Sequence, residues 1–212
     1  MNPRIALSRS RAALALALTV LLVACGKGAP TVKHYDEGAA GFQAFADDLL
    51  RAGKAGDRAT LGALARAATL PDPRGWFTAT FGAEAADRLV AEYDDTGLAA
   101  FPKEAGKVLT RLIKTDGRGR VETRMIERGG DDRATGFQDL AIRAMKRPTP
   151  LYALRLMRPD GSKVFSLWSF AYVDGAYRLV GKLKKADPAP MSSDLEMLSE
   201  LPMADARELL AR

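Results

Sequence analysis

The stretch KVFSLWSFAYV, Lys163 to Val173, limits the possible folds more than any other part of the chain. Aromatic and β-branched residues fit a pleated surface and disfavour a helix turn, so the run is a strand. Strict alternation turns Val164, Ser166, Trp168, Phe170 and Tyr172 to one side. Phe165, Leu167, Ser169, Ala171 and Val173 go to the other. Neither set is polar, so both faces need cover. One face can take helices. The aromatic face either lines a pocket or partner surface, or fills core like most large aromatics.

The neighbours of this strand define an antiparallel meander. LYALRLM precedes it across RPDGSK, whose proline and glycine suit a short hairpin loop. AYRLVGKLK follows across Asp174-Gly175, a two-residue turn whose members both tolerate positive φ. RVETRMIE, with Val121, Thr123 and Met125 against Glu122, Arg124 and Ile126, reads as a further strand. Helical spacing fills the chain before it. Phe42, Phe45, Ala46, Leu49 and Leu50 make one apolar stripe, and Asp57 caps a second helix bearing Leu61, Leu64, Ala65 and Ala68. After RGWFTATFG a third helix follows Gly82, with Ala86, Leu89, Val90 and Tyr93 inward. A fourth starts near Pro102 and buries Phe101, Ala105, Val108, Leu109, Leu112 and Ile113. Another spans Phe137 to Met145 until KRPTP breaks it. Helices first and strands last make an α+β domain, N-terminal helices packed on a curved antiparallel sheet.

The N-terminus has a different character. MNPRIALSRSR carries three arginines and no acid, and Ala12 to Ala24 is apolar apart from Thr19. That layout is a secretory signal, and a run this short is well below the roughly 20 residues that a membrane-spanning helix needs. At its end Leu22, Val23, Ala24 and Cys25 resemble the lipobox of bacterial lipoproteins. The resemblance implies cleavage after Ala24, a diacylated Cys25 and anchoring in the membrane, with more than one acyl chain for stable retention. Gly26 after the cysteine implies release to the outer membrane, facing the periplasm, in a Gram-negative host. The expected organisation is a signal peptide at 1–24, anchor and tether at 25–36, one α+β domain at 37–186, and a Pro-containing linker and helical tail at 187–212.

Cys25 is the sole cysteine, so no disulfide supports the core. The formal net charge is +6, and three of the positive charges are Arg4, Arg9 and Arg11 of the leader. The remaining excess is small and no basic stripe is interleaved with aromatics, so nucleic acid is not an expected partner.

The order of elements, and Leu151 to Lys185 in particular, resembles the nuclear transport factor 2-like superfamily, where helices close over a bent sheet to form a cone. DGAYRLVGK is similar to the last hairpin of such domains. WFTATFG and YVDGAYR together also resemble uncharacterised secreted bacterial proteins. Enzymes of the superfamily, ketosteroid isomerase and scytalone dehydratase among them, work with Asp, Tyr or His inside the cone. The resemblance therefore implies a pocket. An extra helix over Phe137 to Met145 and a shortage of strands depart from the pattern.

The residues themselves offer little for catalysis. His34, the single histidine, lies in the expected tether, which excludes a Ser-His-Asp or Cys-His arrangement unless that tether folds back, and histidine-rich zinc sites lack ligands. Gly181-Lys182 lacks the rest of a phosphate-binding loop, and the Asp47-Asp48, Asp94-Asp95 and Asp131-Asp132 doublets suit capping and solvation better than metal. No cofactor is expected. Glu122, Arg124, Tyr152 and Arg155 are the polar mid-strand residues best placed for a cone interior, with Trp168, Phe170 and Tyr172 as the aromatic surface. The favoured expectation is a non-catalytic envelope lipoprotein that binds a protein partner or small ligand. The alternative is a small hydrolase or isomerase with Glu122 as base.

Overall fold

The computed structural model describes residues 33–98 and 120–187. The expected leader, the Cys25 anchor, the helix from Phe101 and the tail lie outside the described residues. Within them the chain is α+β. Helices α1 (Ala39–Ala55), α2 (Arg58–Ala67), α3 (Pro73–Phe81) and α4 (Ala83–Asp95) precede β1 (Arg120–Ile126). Then come α5 (Gly136–Ala144), β2 (Leu151–Met157), β3 (Lys163–Val173) and β4 (Ala176–Leu179). The strands form one four-stranded antiparallel sheet in the order β1-β2-β3-β4.

Helices cover both sides of this sheet. On one side Phe42, Phe45, Ala46 and Leu49 of α1, with Leu61, Leu64 and Ala65 of α2, pack on Tyr152, Leu154, Leu156, Phe170, Tyr177 and Leu179. On the other, Phe77 and Phe81 of α3, Leu89 and Tyr93 of α4, and Ala141 and Ile142 of α5 pack on Ile126, Leu151, Ala171 and Val180. The neighbouring strand residues of the two sets alternate, as the pleat requires. The centre of the first layer is aromatic. The Phe42 ring lies 4.9–5.2 Å from those of Tyr152, Phe170 and Tyr177.

Local chemistry sets the element ends. The Asp57 carboxylate accepts from the Thr60 N–H at 3.0 Å, satisfying an otherwise orphaned donor of α2, and Asp72 does the same for Gly75 in α3. Thr135 and Gln138 exchange hydrogen bonds as a capping box on α5. At the other end of α2, the Arg178 guanidinium meets the Ala67 and Thr69 carbonyls, and Leu179 N–H donates to Ala68 O at 2.7 Å. A cation on those carbonyls complements the helix dipole and fastens α2 to β4. In the last hairpin Asp174 (φ 48°) and Gly175 (φ 75°) both lie in the left-handed region, the signature of a primed two-residue turn.

Three local expectations change. Alternation along β3 is interrupted. Tyr152 pairs with Phe170, but Ala153 pairs with Trp168, leaving Ser169 as a bulge. Phe170 and Tyr172 are therefore not in register with Trp168 on one face. Ser169 tolerates the bulge because its groups are all used. Its N–H donates to Gly181 O, its carbonyl accepts from Val180 N–H, and its hydroxyl accepts from Gln138 Nε2 at 3.1 Å. The final strand stops at Leu179 instead of reaching Lys184, since Gly181 (φ 91°) and Leu183 (φ 60°) leave extended geometry. Pro73–Phe81, given no element by its spacing alone, is helical, started by Asp72 and a proline in its first turn.

Candidate functional site

The polar strand residues and the aromatic ones do not meet. Glu122 and Arg124 share the parity of Ile126, on the α5 side, whereas Tyr152 and Phe170 belong to the α1 layer. Glu122 stands opposite Arg155 in the strand register, but its carboxylate takes two hydrogen bonds from the exposed Arg120, at 2.7 and 3.2 Å. Such an exposed ion pair contributes about 0–1 kcal/mol. Arg124 reaches across to Arg133 O at 3.1 Å and secures the turn before α5. Arg155 lies between Glu122 and Ser166 in the pairing. Trp168 occupies the register position opposite Ala153, and its side chain lies outside the described residues. Phe170 and Tyr152 are buried core.

Tyrosine hydroxyls instead converge on the entry to α1. Tyr177 Oη donates into the Asp36 and Gly38 carbonyls, at 2.7 Å to each oxygen. Tyr172 Oη donates to Tyr35 O at 2.8 Å, and Tyr35 Oη donates to Asp48 at 2.8 Å. Residues 35–38 are thus held by phenols from β3 and β4. Gly41 completes the arrangement, because a Cβ there would fall on the Asp36 carbonyl. The Tyr152 hydroxyl is buried beside them without a hydrogen-bond partner. Burial pushes the Tyr35, Tyr177 and Tyr152 phenols upward: Tyr35 with help from the Asp48 carboxylate, Tyr177 with help from Tyr152 and Tyr172, and Tyr152 with help from Glu37. Those three stay neutral at physiological pH, and the hydroxyls of Tyr172 and Tyr177 act as a latch on residues 35–38.

An open cleft of about 560 Å³ lies next to this latch, between α3, the segment after α5 and the β3–β4 hairpin. Trp76 forms a half-buried aromatic wall, Pro148 and Pro150 a rigid second wall, and Glu37, Arg147 and Asp174 bring charge to it. Asp72 also lines the cleft, but its carboxylate is committed to Gly75 N–H. The segment after α5 is fixed by backbone bonds from Lys146 and Arg147 to Thr80 O at 2.8 and 3.3 Å. An aromatic face with both signs of charge beside it is equipped to bind and orient. The sequence signals for it were Trp76 within RGWFTATFG and the KRPTP break, neither recognisable as one site until α3 and β3 bring them together. Among the described residues no group of three or more His, Cys, Asp or Glu side chains is placed to hold a metal ion.

Comparison with known proteins adds no relative: no family model matches the chain, and neither a curated protein nor a solved structure is significantly similar to it.

Proposed function

We propose that this chain is a bacterial envelope lipoprotein, held in the membrane by lipid on Cys25, whose head binds a protein partner or small ligand without catalysing a reaction. The arginine-rich start, the short apolar run and Leu22-Val23-Ala24-Cys25 support the anchor. The outer membrane, facing the periplasm, is its place in a Gram-negative host. The Trp76 cleft is the observation that carries the binding role. It is an open concave feature with a half-buried tryptophan as one wall, whereas Glu122, the candidate base, is spent on Arg120. We read the bulged meander as a cone of nuclear transport factor 2-like kind. The register shifts in β2–β3 favour a bent sheet, and Phe42, Phe45, Tyr152, Phe170 and Tyr177 fill the space that an enzyme of that kind leaves open.

Metabolic labelling with a palmitate analogue tests the anchor. The wild-type chain incorporates label and Cys25→Ser does not; label in the serine variant overturns the assignment. A photo-reactive residue at Ala79, exposed in the cleft, tests the binding role in intact cells. A discrete adduct is expected from position 79 and not from Asp95. The same adducts from both, or none from 79, removes the cleft from the proposal.

A further inference from the structure

We infer that the outer edge of β1 pairs with the same edge of a second copy of this chain, joining two four-stranded sheets into one across a two-fold axis at Thr123. The two edges of the sheet are finished differently. At β4 the edge is closed, because Thr69 bridges Leu179, whose N–H donates to Ala68 O at 2.7 Å. Among the described residues β1 has no such cover, and no backbone hydrogen bond reaches Arg120–Ile126 from outside the sheet. The strand is seven residues long, with no proline, no glycine and no register shift against β2. Its backbone therefore lacks the devices that commonly blunt an exposed edge.

Which backbone groups of β1 point outward follows from the last hairpin. In a two-residue turn the flanking residues, Val173 and Ala176, form a hydrogen-bonded pair, so Val173, Ala171 and Ser169 turn their backbone groups toward β4. Ser169 has this phase, bonding to Val180 and Gly181. Phe170 therefore bonds to Tyr152, and alternation along β2 directs Leu151, Ala153 and Arg155 to β1. Their partners Ile126, Arg124 and Glu122 are used in that ladder. Val121, Thr123 and Met125 keep N–H and C=O groups directed away from the sheet.

An antiparallel copy centred on Thr123, the middle of the strand, suits every position. Thr123 meets Thr123, and Val121 meets Met125 of the second copy, in the hydrogen-bonded pairs. Val121 and Met125 are half-buried against the α1 layer, so each covers what the other exposes. Glu122 meets Arg124 of the second copy, twice by symmetry, in non-hydrogen-bonded pairs where side chains come closest. Both bonds from Arg120 fall on Glu122 Oε1, leaving Oε2 to accept from across the axis. Arg124 holds Arg133 O through Nη1, leaving Nη2 to donate. The third charge of the strand, Arg120, faces Ile126, so no like charges are opposed. An edge defended by repulsion carries one sign; this one is self-complementary, as a two-fold interface requires. Sliding the copies by two residues shortens the overlap and breaks the Glu122–Arg124 exchange. The pairing makes no use of Cys25.

The test co-expresses two differently tagged copies of the full-length chain, extracts them in mild detergent and measures how much of one is captured with the other. Wild-type copies should be captured together. Arg124→Glu in both copies opposes carboxylates across the axis, and Glu122→Arg in both opposes guanidinium groups. Each should lower capture about tenfold, since two like-charge pairs are created at once. An Arg124→Glu copy co-expressed with a Glu122→Arg copy has opposite charges at both pairs again. Capture should return to near the wild-type level, a rescue that neither a folding defect nor chance sharing of a detergent micelle produces. Wild-type copies that are not captured together, swaps that leave capture unchanged, or a mixed pair as weak as either swap alone would overturn the pairing.

Discussion

Two helix glycines predict opposite outcomes for the same substitution. In a helix interior, Gly→Ala is worth about 0.8–1.0 kcal/mol in favour of alanine. At Gly62 on α2, the nearest atom to an added Cβ is the Arg66 guanidinium at 3.3 Å, the movable end of a long side chain. Gly62→Ala should therefore gain stability, up to about 1 kcal/mol. At Gly41 on α1 the new methyl would overlap the Asp36 carbonyl, which is backbone and is held by Tyr177. Relief means moving residues 35–38. That sacrifices the Tyr177 bonds to Asp36 and Gly38 and the Tyr172 bond to Tyr35. Each such bond contributes about 0.5–1.5 kcal/mol, so Gly41→Ala should be destabilising by roughly 1–3 kcal/mol after the helix gain is subtracted. Urea unfolding followed by far-ultraviolet circular dichroism measures both. A Tyr177→Phe cycle adds a check, because the two changes act through the same carbonyl and should not be additive. If Gly41→Ala is as stabilising as Gly62→Ala, the latch does not hold the start of α1.

The Asp174-Gly175 turn gives a second pair. Gly175→Val forces a β-branched residue to positive φ and should weaken the sheet by about 2 kcal/mol or more, while Asp174→Asn keeps the turn chemistry and should be nearly silent; limited proteolysis compares them, and equal resistance would contradict the hairpin. Alkaline stability gives a third. Tyr35, Tyr152 and Tyr177 have folded-state pKa values raised above the ordinary value near 10, so their contribution is intact below pH 10 and is lost as pH climbs through the folded values. The melting temperature should fall steeply above pH 10, and less steeply in Tyr177→Phe.

The elements whose evidence is contiguous were legible in the sequence. The stripe from Phe42 to Leu49 and the Asp57 cap emerge as read, because a helix face and its cap are set within a few residues. Asp174-Gly175 behaves likewise. The Ser169 bulge was not legible. Its cause is distant: Gln138 on α5 supplies the donor and Gly181 beyond β4 the carbonyl, and no local pattern records either. Helix α3 was missed because RGWFTATF mixes aromatic and β-branched residues, with only Asp72 and Pro73 marking its start. For the candidate site, Glu122, Arg124, Tyr152 and Arg155 were chosen as polar mid-strand residues suited to a cone interior, and Trp168, Phe170 and Tyr172 by alternation. Alternation cannot show that Arg120 would occupy Glu122, or that α1 would bury Tyr152 and Phe170.

The tyrosine latch also bears on when the chain can fold. It joins residues 35–38 to Tyr172 and Tyr177, so nearly the whole domain must be available before the start of α1 is secured. Closing so long a loop is entropically costly, and contacts of high sequence separation slow folding. A nascent chain still lacking β3 and β4 has an unpinned first helix and an uncovered row of aromatics. On the proposed reading of an exported lipoprotein, which crosses a membrane before it folds, late closure has a use. Tyr172 and Tyr177, which complete the latch, follow more than 130 residues after the segment they hold, so that segment stays unpinned until the last hairpin is made.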